Sequence, residues 1–265
     1  MINPGIPKYV FTEVPIESLY HLRNEYLNGL VEPQELFLEL KVRSGRQFLI
    51  FIDGGSIGYF ITSSENALIE IFLTDPYITQ IEYIFKEIVN RQHVKRAFTK
   101  TFDYLFLIMC LTYQKSSKIL GPVFRDFIKS DGFLENTNIS HRLGQMEDIG
   151  KLLPFIEGIF ESEDEIRSTI VNKNLFVYEM MGVNLGFGIF QPVIPGRVEY
   201  DIGMAVHPIY RMQGIGTYII RHLVDFCNKN GWRPVCGCAQ DNCASRYTLE
   251  KAGFITRHAI VDFSF

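Results

Sequence analysis

The chain has 265 residues, 47% of them apolar and 21% charged, with a formal net charge of −4. That length and balance describe an ordinary globular protein of one large domain or two smaller ones. They provide no basic footprint for nucleic acid, and the longest apolar run, Tyr104 to Tyr113, is too short to cross a bilayer.

The N-terminal residues carry prolines and no apolar core of signal-peptide length, so the expected location is the cytoplasm. Five cysteines, an odd number without a CxxC pair, agree with a reducing compartment. Cys236, Cys238 and Cys243 match no common zinc spacing and read as small buried hydrophobes, so no metal is expected.

Residues 1–130 read as mixed α/β. Tyr9 to Val14 is a short strand, and helices are predicted over Ile16–Leu30 and Gln34–Val42, the second behind Pro33. Phe48–Ile52 and Ile57–Ile61 flank Asp53-Gly54-Gly55-Ser56, a hairpin signal. A strand over Ala67–Thr74 ends at Asp75-Pro76. A helix over Ile78–Val89, a strand over Lys95–Thr99, a helix over Phe102–Leu111 and closing strands within 113–128 follow. Around 129–138 the chain turns polar, which places a boundary between domains at 1–133 and 138–265.

The second half repeats the order. Asn138–Arg142 is a strand and Met146–Phe160 a helix; Ser162 with Glu165 is a capping box opening a helix to Val171. Leu175–Met181 and Leu185–Val193 form a hairpin, then come a strand over Arg197–Val206, a helix to Lys229, a strand over Val235–Ala239, a helix over Cys243–Ala252 and a last strand over Phe254–Phe265. FLIFIDGGSIGYFI at 48–61 lies on FVYEMMGVNLGFGI at 176–189, pairing Gly54 with Gly182 and Gly58 with Gly186. A repeat of this size implies two similar folds in tandem.

The halves differ after the strand that ends in a proline. His207-Pro208 leads into Arg211, Gln213, Gly214 and Gly216, which open a helix. The first turn of a helix carries unpaired N–H groups and a positive dipole end, so it attracts phosphate. Glycines admit a pyrophosphate to those groups, and Arg211 adds a cation. Asp75-Pro76 leads instead into Tyr77-Ile78-Thr79-Gln80-Ile81-Glu82, without glycine or arginine.

Arg211-Met212-Gln213-Gly214-Ile215-Gly216 resembles the acyl-CoA loop R/Q-x-x-G-x-G/A of the GNAT N-acetyltransferase superfamily, with Val206-His207-Pro208 as its usual lead-in. Asn242, Ser245 and Gly253-Phe254 stand in the order and distance of that family's second signature. The resemblance covers about 138–265 through motifs and the first half through architecture. It implies an α/β (α+β) fold of two tandem GNAT-type domains, each a mixed, mostly antiparallel sheet flanked by helices, the first without a CoA loop.

The resemblance also implies transfer of an acetyl group from acetyl-CoA, as cosubstrate, to an amine on a small molecule or peptide. It assigns cosubstrate binding to Met204, Ala205 and Val206, to Arg211, Met212, Gln213, Gly214, Ile215, Gly216 and Thr217, and to Asn242 and Ser245. Many relatives place an acidic tyrosine where this chain has Leu249. The pattern is closer to a branch in which the motif serine serves the leaving thiol, here Ser245, with Tyr247 as substitute. Asp201 is the candidate base, through water, and Glu199 its substitute. His207 reads as structural, and the acidic run Glu161 to Glu165 as a helix cap. The competing reading is a non-catalytic module that senses acyl-CoA or holds a partner.

Overall fold

The computed structural model describes residues 9–128, 133, 135–155, 159–160 and 162–265. They form two units, the described residues of Met1–Pro122 with His258–Phe265, and Val123–Arg257. The boundary expected within 129–138 lies partly outside the described residues, at 129–132 and 134.

In the first unit the apolar alternation yields β1 (Val10–Val14), β2 (Arg46–Ile52), β3 (Gly55–Thr62), β4 (Leu68–Leu73) and β5 (Arg96–Lys100). Helices α1 (Tyr20–Gly29) and α2 (Leu36–Arg43) precede β2, α3 (Ile81–Arg91) lies between β4 and β5, and α4 (Tyr104–Tyr113) follows β5. The sheet runs β1-β2-β3-β4-β5 and continues with residues of the chain's last strand, antiparallel to β5 with Ile260 opposite Lys100. Its core gathers Phe48, Phe60, Ile71, Phe85, Phe106 and Phe263.

The chain leaves this unit within β6 (Ser116–Phe127) and returns to it within β12 (Phe254–Ser264). Between them lie β7 (Ser140–Leu143), α5 (Ile149–Leu152), α6 (Glu163–Val171), β8 (Leu175–Met180) and β9 (Val183–Pro192). Then come β10 (Glu199–Val206), α7 (Ile215–Lys229), β11 (Arg233–Gly237) and α8 (Cys243–Ala252). The sheet of the second unit runs from residues 123–127 of β6 through β11-β10-β9-β8-β7. Residues of α5 and α6 pack on Leu175, Val177, Phe187 and Ala205. The apolar faces of α7 and α8 pack with Tyr178, Phe190 and Ile202 on the other side.

The repeat seen in the sequence has a backbone cause. Asp53-Gly54 and Met181-Gly182 both take positive φ, 48° and 83° in one hairpin, 50° and 77° in the other. That is the turn whose twist suits a two-residue hairpin. Gly58 and Gly186 repeat for a different reason, close approach of the next strand. A Cβ at Gly58 would meet the Phe72 carbonyl oxygen at 2.1 Å, and one at Gly186 the Ala205 carbonyl oxygen at 2.3 Å.

One expected helix is broken. In place of a continuous helix over Met146–Phe160 there is a 3-10 turn at Met146–Asp148, then α5, then a second 3-10 turn at Leu153–Phe155 that contains Pro154. Proline has no N–H and its ring crowds the preceding turn, so the α-ladder cannot pass through it. Residues 156–158 of that prediction, and Glu161, lie outside the described residues.

His141 and His222 have partners that no sequence pattern announced. Their ring centroids are 3.9 Å apart, and His222 Nδ1 lies 2.7 Å from the Tyr178 hydroxyl. Burial, then the neighbouring His141, pushes the His222 pKa down from 6.5 to about 4. The unfolded chain therefore binds a proton that the folded one refuses, and stability should fall as pH drops from about 6.5 toward about 4. Denaturant titrations across that range should show a loss on the order of 2 kcal/mol. In His222→Phe the slope should flatten; an equally steep slope there would assign the loss to other groups.

Candidate functional site

The site of the second unit starts from two parallel strands that part. β10 pairs with β9 over Tyr200–Val206, but with β11 only from Glu199 opposite Arg233 to Asp201 opposite Val235. From Ile202 on, the edge of β10 that faced β11 has no ladder. The His207 N–H reaches the Leu185 carbonyl beside β9. Because backbone groups alternate edges along a strand, the N–H groups of Met204 and Val206 turn the other way, into the gap. Unpaired backbone donors at a sheet's interior edge call for a partner, and an extended chain bearing amides fits them.

At the end of this gap the sequence forces a turn into α7. Pro208 ends the strand, a 3-10 turn spans Pro208–Tyr210, and Gly214 caps α7 at φ 81° with no side chain on the first turn. The first helical bond runs from the Tyr218 N–H to the Gly214 carbonyl at 3.0 Å. The N–H groups of Ile215, Gly216 and Thr217 thus precede the ladder, at the positive end of a 15-residue helix.

Arg211 is exposed and anchored by its Nε to the Val206 carbonyl at 3.2 Å; the Gln213 side chain donates to the Ile209 carbonyl at 3.2 Å. Met212, at φ 62°, is 99% exposed. The two glycines differ. A Cβ at Gly214 would meet nothing within 4 Å, whereas one at Gly216 would lie 3.0 Å from a Thr248 methyl on α8. Gly214 keeps the mouth of the loop open, and Gly216 lets α7 approach α8.

On α8, the Asn242 side-chain oxygen caps the helix by accepting from the Ser245 N–H at 3.0 Å. Burial pushes the pKa of the nearby Cys238 thiol up, and Arg246 opposes it. Leu249 is 2% exposed, in the core, and Tyr247 is 71% exposed on another side of the helix. Tyr200, Ile202, Met204 and Val206 pack toward α7 and α8, so Glu199 and Asp201 lie on the opposite face with Ala205, the side of α5 and α6.

His207 accepts from the Ile209 N–H through Nδ1 at 3.4 Å, a turn-holding bond. Ser162 caps α6, accepting from the Glu165 N–H at 3.2 Å. Among the described residues no group of His, Cys, Asp and Glu is arranged to hold a metal ion.

The first unit treats the same place differently. β4 and β5 are also parallel and pair at one position, Leu68 opposite Ala97. After β4 comes a 3-10 helix, Asp75–Gln80, in place of a glycine loop. Beneath α1 and α2 lies a buried polar network. Arg23 bridges Glu39 at 2.5 Å and Glu70 at 3.0 Å. Gln34 and Tyr59 donate to Glu70 at 2.7 and 3.1 Å. The Lys100 ammonium donates to the Tyr26 hydroxyl at 2.7 Å and to Gln34 Oε1 at 2.9 Å. Burial pushes the Lys100 pKa down and that of Asp103 up. A glutamate between Ile69 and Ile71 was the one visible hint of this network, since a charge in an apolar strand needs a partner.

A family model described as an acetyltransferase (GNAT) domain matches residues 15–127, and one described as acetyltransferase (GNAT) family matches 149–254. A solved GNAT-family acetyltransferase from Colwellia psychrerythraea is 19% identical with a TM-score of 0.86, over 97% of this chain and 99% of that one. A tandem GNAT protein from the clavulanic acid biosynthesis pathway is 10% identical with a TM-score of 0.61, over 97% and 98%. A GCN5-related N-acetyltransferase from Sphaerobacter thermophilus is 11% identical with a TM-score of 0.59, over 97% and 95%. No curated protein matches. At such identities these structures share the fold; with two family matches in tandem around the parted strands and the glycine loop, the chain belongs to the GNAT acetyltransferase family.

Proposed function

We propose that the second unit binds acetyl-CoA and transfers its acetyl group to an amine on a small molecule or peptide, in the cytoplasm. The observation that carries this reading is the ladder between β10 and β11, which stops at Asp201 while β10 runs on to Val206. Pantetheine amides would pair with the backbone at Met204, Ala205 and Val206. The pyrophosphate would take the N–H groups from Gln213 to Thr217, with Arg211 as counter-charge. Asn242 stays at the end of the gap as the cap of α8.

The amine must lose a proton to attack the thioester carbonyl, the oxyanion needs donors and the thiolate needs a proton. Asp201, through water, is the base, with Glu199 next to it on the same face. Ser245 serves the leaving thiolate. Tyr247 is the substitute, and its exposure argues for the smaller role. The first unit takes no cosubstrate, because its turn after β4 has no glycine loop.

Calorimetry with acetyl-CoA should give one site per chain, and thiol release with a panel of amines should exceed the uncatalysed rate. Binding without release from any amine would favour a sensor, and two sites per chain would overturn the account of the first unit. With an accepted amine, Tyr247→Phe should keep the catalytic rate within about twofold, whereas Ser245→Ala should lower it by on the order of a hundredfold. The reverse pattern would hand the role to the tyrosine.

A further inference from the structure

β11 parts from β10 at one end and from β6 at the other. It pairs with β6 from Cys236 opposite Phe124 to Gly237 opposite Val123, although β11 begins at Arg233 and β6 runs on to Phe127. Side chains cross this second parting. Arg233 Nη2 donates to the Arg125 carbonyl at 3.1 Å, and Arg125 Nη1 to the Cys236 carbonyl at 3.1 Å. A cavity of about 430 Å³ opens here, with Val224, Asn228, Trp232, Arg233, Asp126 and Phe127 in its lining. That is within the usual size of a small-molecule site, about 300–1,000 Å³. The glycine loop opens α7, and this cavity lies at the other end of that 15-residue helix, about 20 Å away at about 1.5 Å per residue.

The chemistry of the lining favours an anion with a flat apolar body. Arg233 is exposed, and its bond to Arg125 places the guanidinium over the parted strands, beside residues that line the cavity. A planar guanidinium suits a carboxylate, which takes two of its N–H groups at once. Asp126, an acid of the lining, has Arg257 as its partner. The negative end of α7 is answered from within: the Phe226, Cys227 and Asn228 carbonyls accept from the N–H groups of Asn230, Trp232 and Gly231. The apolar walls are Phe127, Val224 and Trp232, whose ring stacks on Tyr200 at 3.9 Å between centroids.

We propose that this cavity is a second ligand site, which takes a small aromatic carboxylate. The ring of the ligand lies against Trp232, and its carboxylate pairs with Arg233. The site stands apart from the gap between β10 and β11, so it holds whether or not the acetyltransferase reading does.

Trp232 is the single tryptophan of the chain, so its fluorescence reports on the cavity wall. The test titrates the full chain with sodium benzoate at constant ionic strength, beside benzamide, a neutral molecule of the same shape. Benzoate should change the emission along a saturating curve with a midpoint of about 1 mM or lower, and benzamide should need at least about tenfold more. Arg233→Gln should weaken benzoate binding by about tenfold or more, down to the level of benzamide, with an unaltered circular dichroism spectrum. Val198→Phe, a larger side chain on an exposed residue of the lining, should weaken both ligands. Excess acetyl-CoA should leave the benzoate midpoint within about twofold. No saturable change with benzoate, equal midpoints for the two ligands, or an unaltered midpoint in Arg233→Gln would overturn the site. Competition with acetyl-CoA would place the benzoate in the cosubstrate gap and overturn it as well.

Discussion

Gly214→Val should abolish acetyl-CoA binding while leaving the second unit folded. Position 214 sits at φ 81°, where a β-branched residue is strained, and a Cβ there points into open space. Strain of this kind costs about 1–3 kcal/mol, which a packed unit can absorb. The larger effect falls on the ligand, because the new side chain stands before the N–H groups of Ile215 and Gly216. Losing two charge-assisted hydrogen bonds at about 1.5–3 kcal/mol each weakens binding more than about a hundredfold. Gly231→Val is the control. Gly231, just beyond the other end of α7, has φ 73° and equally open surroundings, so it reproduces the strain without touching the loop. Calorimetry should show lost affinity for the first variant and retained affinity for the second. Equal affinity in both would remove the glycine loop from the binding site.

The second large effect lies in the first unit. Glu70→Ala should destabilise it by about 3–5 kcal/mol, the usual cost of removing one member of a buried, hydrogen-bonded ion pair. Glu70 is 0% exposed and accepts from Arg23, Gln34 and Tyr59, so the substitution strands three donors at once. Arg23 keeps Glu39, and that pair alone must hold the charge of a residue that is 7% exposed. Glu13→Ala breaks an exposed pair with Arg46 and should cost about 0–1 kcal/mol. Urea unfolding of both variants checks the difference. A loss below about 1 kcal/mol for Glu70→Ala would mean that water or a moved side chain takes over its bonds.

The sequence by itself determined the features that depend on neighbours along the chain. Period-2 and period-3.6 patterns located most strands and helices. Asp53-Gly54 marked a hairpin turn, Ser162 marked a helix cap, and Pro208 with Gly214 marked the passage from β10 into α7. Each rests on a local rule: which residues tolerate positive φ, lack an N–H or supply a capping oxygen. Pro154 obeys the same rule: apolar spacing favours a continuous helix there, and the missing N–H donor breaks it into a 3-10 turn.

The tertiary structure decided what depends on segments far apart in the chain. That His258–Phe265 joins the first sheet beside β5 follows from a ladder that spans well over a hundred residues and has no local signal. The parting of β10 from β11 at Asp201 and the enclosure of Lys100 by Tyr26 and Gln34 are of the same kind. A side chain's type limits which bonds it can make. Which of them it does make is set by packing, because a buried donor or charge must find its partner among whatever the fold brings within about 3 Å.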